Sequence, residues 1–181
     1  MFLGIDPGRS GAVVVEAEAG AVWWALWLHR RRRAGDVWRV LDSDGHVAEV
    51  ESLSMAVMRA LPPGFDLSGC TIETWARGSG PKTAAAHDGM VRAGGVAQAV
   101  VEAIYPGTPI GWVDAPTWRR QVLAIRQTAR ERAERHAVEV ALGDGGGRMP
   151  AWTLPQPPDV GRVHVAEARC LARWGMRHGA T

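Results

Sequence analysis

Lysine is almost absent from this chain: of 21 basic residues, every one but Lys82 is arginine. Cysteine is equally sparse. Cys70 and Cys170 lie far apart in apolar contexts, which excludes a disulfide framework. Long hydrophobic runs are missing too. The longest is the eight residues Ala21–Leu28, well short of the ~20 that span a bilayer. No basic stretch leads into an apolar segment at the N-terminus, so no secretory signal is read there. A cytoplasmic protein with no membrane association is expected. Charge of one sign is not in excess either, since 21 Lys+Arg against 19 Asp+Glu leave +2. What is present, 46% hydrophobic and 22% charged residues over 181 positions, is a globular balance. It suffices for one domain with its own core, expected to span residues 1–181.

The near-neutral total hides segregation. His29-Arg30-Arg31-Arg32-Arg33 forms one block. Between Pro116 and Arg135, six arginines meet two glutamates, a local +4, and from Gly161 onward four arginines meet one glutamate, a local +3. A GC-rich genome alone produces an arginine-for-lysine skew. The planar guanidinium fork is nevertheless well suited to phosphate, and basic segments on a neutral chain are compatible with a nucleic-acid partner.

Hydrophobic patterning divides the chain into an antiparallel part and an alternating part. Phe2–Ile5 predicts a buried strand ending at Asp6, broken by Pro7-Gly8. The β-branched run Gly11–Ala17 and the Trp-rich Ala21–His29 predict two further strands. Val37–Leu41 and His46–Val50 flank Asp42-Ser43-Asp44-Gly45 as an additional hairpin. Leu53–Leu61 has helical spacing and stops at Pro62-Pro63. Then follow a strand over Cys70–Thr74, a Gly/Ser/Pro loop over Arg77–Lys82, and a helix over Ala84–Ile104. A strand over Pro109–Val113 and a helix over Thr128–Leu142 come next, then a Gly/Pro-rich loop over Gly143–Pro158 and a last helix over about Val160–Arg177. The implied architecture is α/β: a mixed five-stranded sheet, three antiparallel strands and then parallel ones, with helices on both faces plus the extra hairpin. This order resembles the one expected of the ribonuclease H-like fold.

Four polar residues are out of keeping with a plain core. Asp6 ends the first buried strand, and Glu73 sits inside the apolar Cys70-Thr71-Ile72-Glu73-Thr74-Trp75. His164 and Glu167 are three apart on the last helix and share a face. Each has an ordinary reading: Asp6-Pro7-Gly8 as a turn, Glu73 paired with an arginine, His164 as a satisfied helix histidine. Together they are harder to explain, because a carboxylate buried without a partner costs several kcal/mol, roughly. A divalent cation relieves several converging carboxylates at once, and hard oxygen ligands favour Mg²⁺ or Mn²⁺ over a thiolate-seeking metal. Asp114 is read as a strand-end turn carboxylate and Asp159 as the cap of the last helix.

Leu3-Gly4-Ile5-Asp6-Pro7-Gly8-Arg9-Ser10-Gly11-Ala12 resembles the opening motif of the RuvC-type Holliday junction resolvases, of the ribonuclease H-like superfamily. Ile72-Glu73 is similar to that family's second acidic strand. His164-Val165-Ala166-Glu167 through Gly175 resembles its closing helix, and Val113-Asp114-Ala115-Pro116-Thr117-Trp118-Arg119-Arg120 resembles a Pro-x-x-Trp-Lys-Lys element of phage-type members. The resemblance runs over about Met1–Gly175. Position 167 is Glu where the family usually has Asp, the Gly-x-Gly-x-Ala-x-Lys pattern of cellular resolvases is missing, and Trp23–Val50 is an enlarged insertion. The chain thus resembles a divergent, phage-type member.

The resemblance implies a Mg²⁺-dependent structure-specific endonuclease, with Mn²⁺ as the substitute, that resolves four-way or other branched DNA by two-metal phosphodiester hydrolysis. Asp6 would bridge both ions, Glu73 would hold the leaving-group metal and Glu167 the nucleophile-side metal. His164 would position or deprotonate the attacking water, or ligate directly. Arg77, Lys82, Arg119, Arg120, Arg126 and Arg130 would grip the DNA backbone, and Trp75 stacks on a base or fills the core. Symmetric cleavage implies a homodimer in a bacterial or phage-infected cytoplasm. Other readings are a non-catalytic branched-DNA-binding protein of the same fold and a nuclease without junction selectivity. Actin-like and sugar-kinase ATPases share a similar opening turn but need two such domains, more than 181 residues supply.

Overall fold

The computed structural model describes residues 1–7, 11–17, 23–30, 38–41, 47–50, 66–74, 84–125, 130–143 and 159–179. The helix expected over Leu53–Leu61, the loop Arg77–Lys82, Trp75 and the stretch 144–158 lie outside the described residues. Seven strands are described: β1 (Phe2–Asp6), β2 (Ala12–Glu16), β3 (Trp23–Arg30), β4 (Trp38–Leu41), β5 (Val47–Val50), β6 (Gly69–Thr74) and β7 (Ile110–Asp114). The described helices are α1 (Ala84–Ile104), α2 (Ala115–Val122), α3 (Arg130–Val138) and α4 (Asp159–His178), with α3 running on into a π-helical turn, Glu139–Gly143.

The strands form one mixed sheet in the order β5-β4-β3-β2-β1-β6-β7. β1, β2 and β3 are successive antiparallel neighbours, whereas β6 lies parallel to β1 and β7 parallel to β6. The hairpin expected beside a five-stranded sheet instead extends it to seven described strands. The cause is the length of β3. Its first part pairs with β2 as far as Trp27, and its remaining Leu28–Arg30 pair with Val40, Arg39 and Trp38 of β4. Backbone groups that would otherwise form an open edge are thereby bonded.

Alternation along the strands sorts residues onto two faces. Leu3, Ile5, Val13, Val15, Cys70 and Ile72 point to one face and pack with Ala97, Val100 and Val101 of α1. Ala12 and Val14 point to the other, against Val165 and Ala168 of α4. Beside them Val113, Trp118, Leu123, Ala137 and Ala141 close over Ala166, Cys170 and Leu171 of the same helix. Both cysteines are buried and free, as their apolar contexts predict. Among the described residues, no helix is long and apolar enough to cross a membrane.

α4 rests almost directly on the backbone of β1. A Cβ on Gly4 would overlap the Ala168 carbonyl oxygen and come to 2.5 Å from the Ala172 amide nitrogen. At the far end of α4, a Cβ on Gly175 would overlap Thr71 Oγ1. Two glycines thus set how closely helix and sheet approach, and with that which residues of α4 reach the end of β1.

α2 was not evident from hydrophobic spacing, yet its start is well signalled. Asp114 ends β7 and caps the helix, its Oδ1 accepting from the Thr117 amide at 2.7 Å. Pro116 occupies the first turn, where a missing N–H costs nothing. The expected role of Asp114 as a strand-end turn carboxylate is therefore realised as a helix cap. α4 begins at Asp159 itself, one residue earlier than expected.

Candidate metal centre

Parallel pairing brings the C-terminal ends of β1 and β6 side by side. Ile5 pairs with Ile72, and both point into the α1 face of the core. The next residue on each strand therefore turns to the opposite face, toward α4: Asp6 on β1 and Glu73 on β6. From α4, His164 and Glu167 come down onto the same spot, one helical turn apart. His164 Nδ1 lies 2.5 Å from Asp6 Oδ2. Asp6, His164 and Glu167 each offer one ligand atom, and the three atoms lie within 4.8 Å of one another. Asp6 and Glu167 are buried and His164 is partly so.

Glu73 stands outside that tight trio but within its field. Burial, reinforced by the charges of Asp6 and Glu167, pushes its carboxyl well above the usual carboxylate range, against the pull of Arg119 and Arg130. Glu167 is raised for the same reasons, burial first and then Asp6, with Arg119 and His164 opposing. For His164, burial is the largest influence and disfavours the charged ring. The hydrogen bond and charge of Asp6, with Glu167 and Glu134 behind it, outweigh burial and leave its pKa above the usual value. Glu73 and Glu167 thus sit in a poorly hydrated corner beside Asp6, where burial first and acidic neighbours second make their ionisation costly. Hard carboxylate oxygens with one imidazole are a donor set suited to a divalent cation such as Mg²⁺ or Mn²⁺, and the crowding is what such a charge would relieve. The residues present fit that group.

The surroundings are cationic. Arg119 of α2 donates from Nη2 to Glu167 Oε1 at 2.5 Å, and its guanidinium carbon lies 5.2 Å from the ring centre of Trp118. Arg130, at the start of α3, donates to Glu134 at 2.5 Å. Its pKa is raised by that hydrogen bond and charge, and further by Glu167 and Glu73. Arg120 is exposed. Of the arginines and lysine expected to grip DNA, Arg119 is therefore engaged with an acidic residue of the cluster, Arg130 lies at its rim, and Arg77, Lys82 and Arg126 lie outside the described residues.

A second polar cluster, missed in the sequence reading, holds α4 in place. Glu16, at the end of β2, is buried on the α4 face. Its Oε1 accepts from Arg169 Nε at 3.1 Å and Nη2 at 2.9 Å, and from Arg173 Nε at 3.2 Å. Arg169 Nη1 also donates to the Ala141 carbonyl at 2.5 Å, and Arg173 Nη1 to the Val140 carbonyl at 3.3 Å. One carboxylate and two arginines so join β2, α4 and the π-helical turn. Alternation from Ala12 and Val14 to Glu16 was the available signal that this acid points inward. Its partners, more than 150 residues away, were beyond local pattern.

No family model and no curated protein matches the sequence. Among solved structures, Thermus thermophilus RuvC matches with a TM-score of 0.49 at 18% identity, over 99% of this chain and 96% of that one. The T. thermophilus RuvC structure in complex with Holliday junction substrate matches with a TM-score of 0.50 at 17% identity, over 94% of this chain and 89% of that one. The chain has a RuvC-like fold with a widely diverged sequence.

Proposed function

We propose that this RuvC-like chain is a divalent-metal-dependent endonuclease that cuts four-way or otherwise branched DNA, acting as a homodimer of single ribonuclease H-like nuclease domains spanning residues 1–181. The observation that carries the reading is the convergence of Asp6, His164 and Glu167, with Glu73 in their field, where β1, β6 and α4 meet. A substrate of this kind belongs in the cytoplasm of a bacterial or phage-infected cell.

In this reading Asp6 would serve as a ligand common to two ions, with Glu73 helping to hold the ion that serves the leaving group and Glu167 the ion that serves the nucleophile. When bound, Mg²⁺ or Mn²⁺ supplies the Lewis acidity that phosphodiester hydrolysis needs at the attacking water and the leaving 3′ oxygen. His164, held by Asp6, orients the attacking water or joins the ligands. The extra methylene of Glu167, relative to an aspartate, lets its carboxylate span from α4 to the end of β1. Arg119 and Arg130 act on the cluster's acids and, with the exposed Arg120, would position phosphates without reading sequence, Arg77, Lys82 and Arg126 extending that grip.

Two further observations favour DNA and a second copy. On α3, Arg132, Arg135 and His136 line a cleft of about 480 Å³ with Ile125 and Glu139, continuing the cationic surface away from Arg130. On the opposite side of the sheet α1 exposes Val91 and Val96, and Trp112, which packs over Gly94, is 40% exposed. A second copy of the chain would cover that apolar surface, giving the two active sites that symmetric junction cleavage requires.

The test incubates the protein with end-labelled four-way junction and with linear duplex of matched sequence, in Mg²⁺, Mn²⁺ or EDTA. Paired nicks in the junction alone, absent in EDTA, are expected. Equal cutting of both substrates would leave a nuclease without junction selectivity. Tight junction binding with no cut in either metal would favour the second reading, a non-catalytic branched-DNA-binding protein, for which the Arg119–Glu167 pair is the supporting observation.

A further inference from the structure

We propose that Arg119 is a metal-released latch: it holds Glu167 in the metal-free protein, and occupation of the cluster by a divalent cation frees its guanidinium to bind a DNA phosphate beside the site. The inference rests on the metal-centre reading above and adds to it a coupling between metal and DNA.

The argument begins with competition. Glu167 Oε1 accepts the Arg119 hydrogen bond at 2.5 Å, and Glu167 is also one of the three residues whose ligand atoms gather within 4.8 Å. A guanidinium drawn that close to the carboxylate lies within a few ångströms of any ion the trio would hold. A divalent cation and an arginine at such range repel strongly in a poorly hydrated pocket. Metal capture therefore disfavours the present position of Arg119.

The pair is also built to part. The Glu16–Arg169 pair offers the contrast within the same protein: both side chains are almost wholly buried, and Arg169 bonds through Nε, Nη1 and Nη2. Arg119 keeps 22% of its side chain exposed, and among the described residues its guanidinium makes a single hydrogen bond, from Nη2. Its Nε is buried and has no hydrogen-bond partner among the described residues. A guanidinium with an unsatisfied buried donor is incompletely served where it stands. A phosphate, with several acceptor oxygens suited to the guanidinium fork, would serve it better. Trp118 is fully buried beneath it and fixes the base of the side chain on α2, while the exposed Arg120 follows. The head group can thus move from Glu167 toward the solvent side without any shift of the helix.

Linkage gives the consequence. If metal frees Arg119 for DNA, metal strengthens DNA binding, and DNA strengthens metal binding by the same factor. With neither ligand bound, the latch neutralises Glu167 and hides a phosphate-binding group.

The first test needs no DNA. Mn²⁺ binding is followed by the loss of its free paramagnetic resonance signal in wild type, Arg119→Gln and Arg130→Gln. Arg130 is a cation in the field of Glu167 and Glu73 but bonds to Glu134, so its variant removes the same charge without touching the latch. Arg119→Gln should tighten Mn²⁺ binding by about tenfold, within the usual range of coupling between sites, and clearly more than Arg130→Gln. Equal tightening in the two variants, or none in Arg119→Gln, overturns the latch and leaves the metal centre standing. Failure of all three proteins to take up Mn²⁺ overturns the metal centre and the latch with it.

The second test measures four-way-junction binding by fluorescence anisotropy in EDTA. Glu167→Gln removes the charge that holds Arg119, leaving only a neutral acceptor, and should bind the junction several-fold more tightly than wild type. Glu73→Gln, which removes one acidic group from the same cluster but leaves Arg119 engaged, should gain less, and Arg119→Gln/Glu167→Gln should lose the gain. Equal gains in the two single glutamine variants would mean that only net charge matters and would overturn the proposal. Far-ultraviolet circular dichroism of each variant checks that the fold is kept.

Discussion

Glu73 and Glu167 carry the clearest cost in the molecule. Each is held above the ordinary carboxylate value, by burial first and then by acidic neighbours. A group whose folded-state pKa is raised lends stability below its unfolded value and loses it as pH climbs through the folded value. The metal-free protein should therefore become less stable as pH rises from acid to neutral on account of these two groups. Glu73→Gln removes one of them. It should melt above wild type at neutral pH without metal, by about 2–4 °C for each kcal/mol recovered, and the difference should vanish in acid. Calorimetric melts across pH with EDTA test this, and a variant that melts below wild type at neutral pH would contradict it. Asp6, Glu73, His164 and Glu167 were legible in the sequence because buried acids in apolar strands and an i, i+3 pair on a helix are local patterns. The partner of Arg119 was not. The arginines of a basic segment look alike in sequence, and only the packing of α2 beside α4 brings this one to Glu167.

Elements were legible wherever one period dominated. β1, β2, β6 and α1 lie within a residue or so of their expected spans because their faces are apolar at period 2 or at helical spacing. α2 was not legible, since Pro116 reads as a break until Asp114 is recognised as the cap that makes proline harmless in the first turn. The π-helical turn after α3 and the joining of β4 to β3 depend on what packs against them, which no local pattern carries. The decisive contact between elements is that of β1 with α4. Gly4→Ala places a Cβ on the Ala168 carbonyl and the Ala172 amide, backbone atoms that cannot swing aside. The helix must lift from the strand, carrying His164 and Glu167 away from Asp6. A loss of about 3 kcal/mol, the upper part of the usual overpacking range, is expected in urea denaturation, with loss of metal-dependent cleavage. Wild-type stability for this variant would contradict so close an approach of α4 to β1.

At the scale of the whole molecule, one sheet carries two different surfaces. One side offers the acidic cluster and the arginines of α2 and α3, and the other offers the exposed apolar residues of α1 and β7. The chain's small net charge of +2 is thus no guide to the local field, which is acidic at the centre and basic around it. The central claim is that this acidic centre cuts branched DNA with the help of divalent cations. It is tested most directly by comparing wild type with Asp6→Asn on an end-labelled four-way junction in Mg²⁺, with circular dichroism confirming that both are folded. Asp6 sits among the candidate ligands, bonded to His164 and within 4.8 Å of Glu167, and Asn keeps its shape while removing its charge. The expected result is cleavage by wild type and a loss of at least about a hundredfold in the variant, nearly 3 kcal/mol of transition-state stabilisation, with junction binding retained. Cleavage by Asp6→Asn at the wild-type rate would contradict the account.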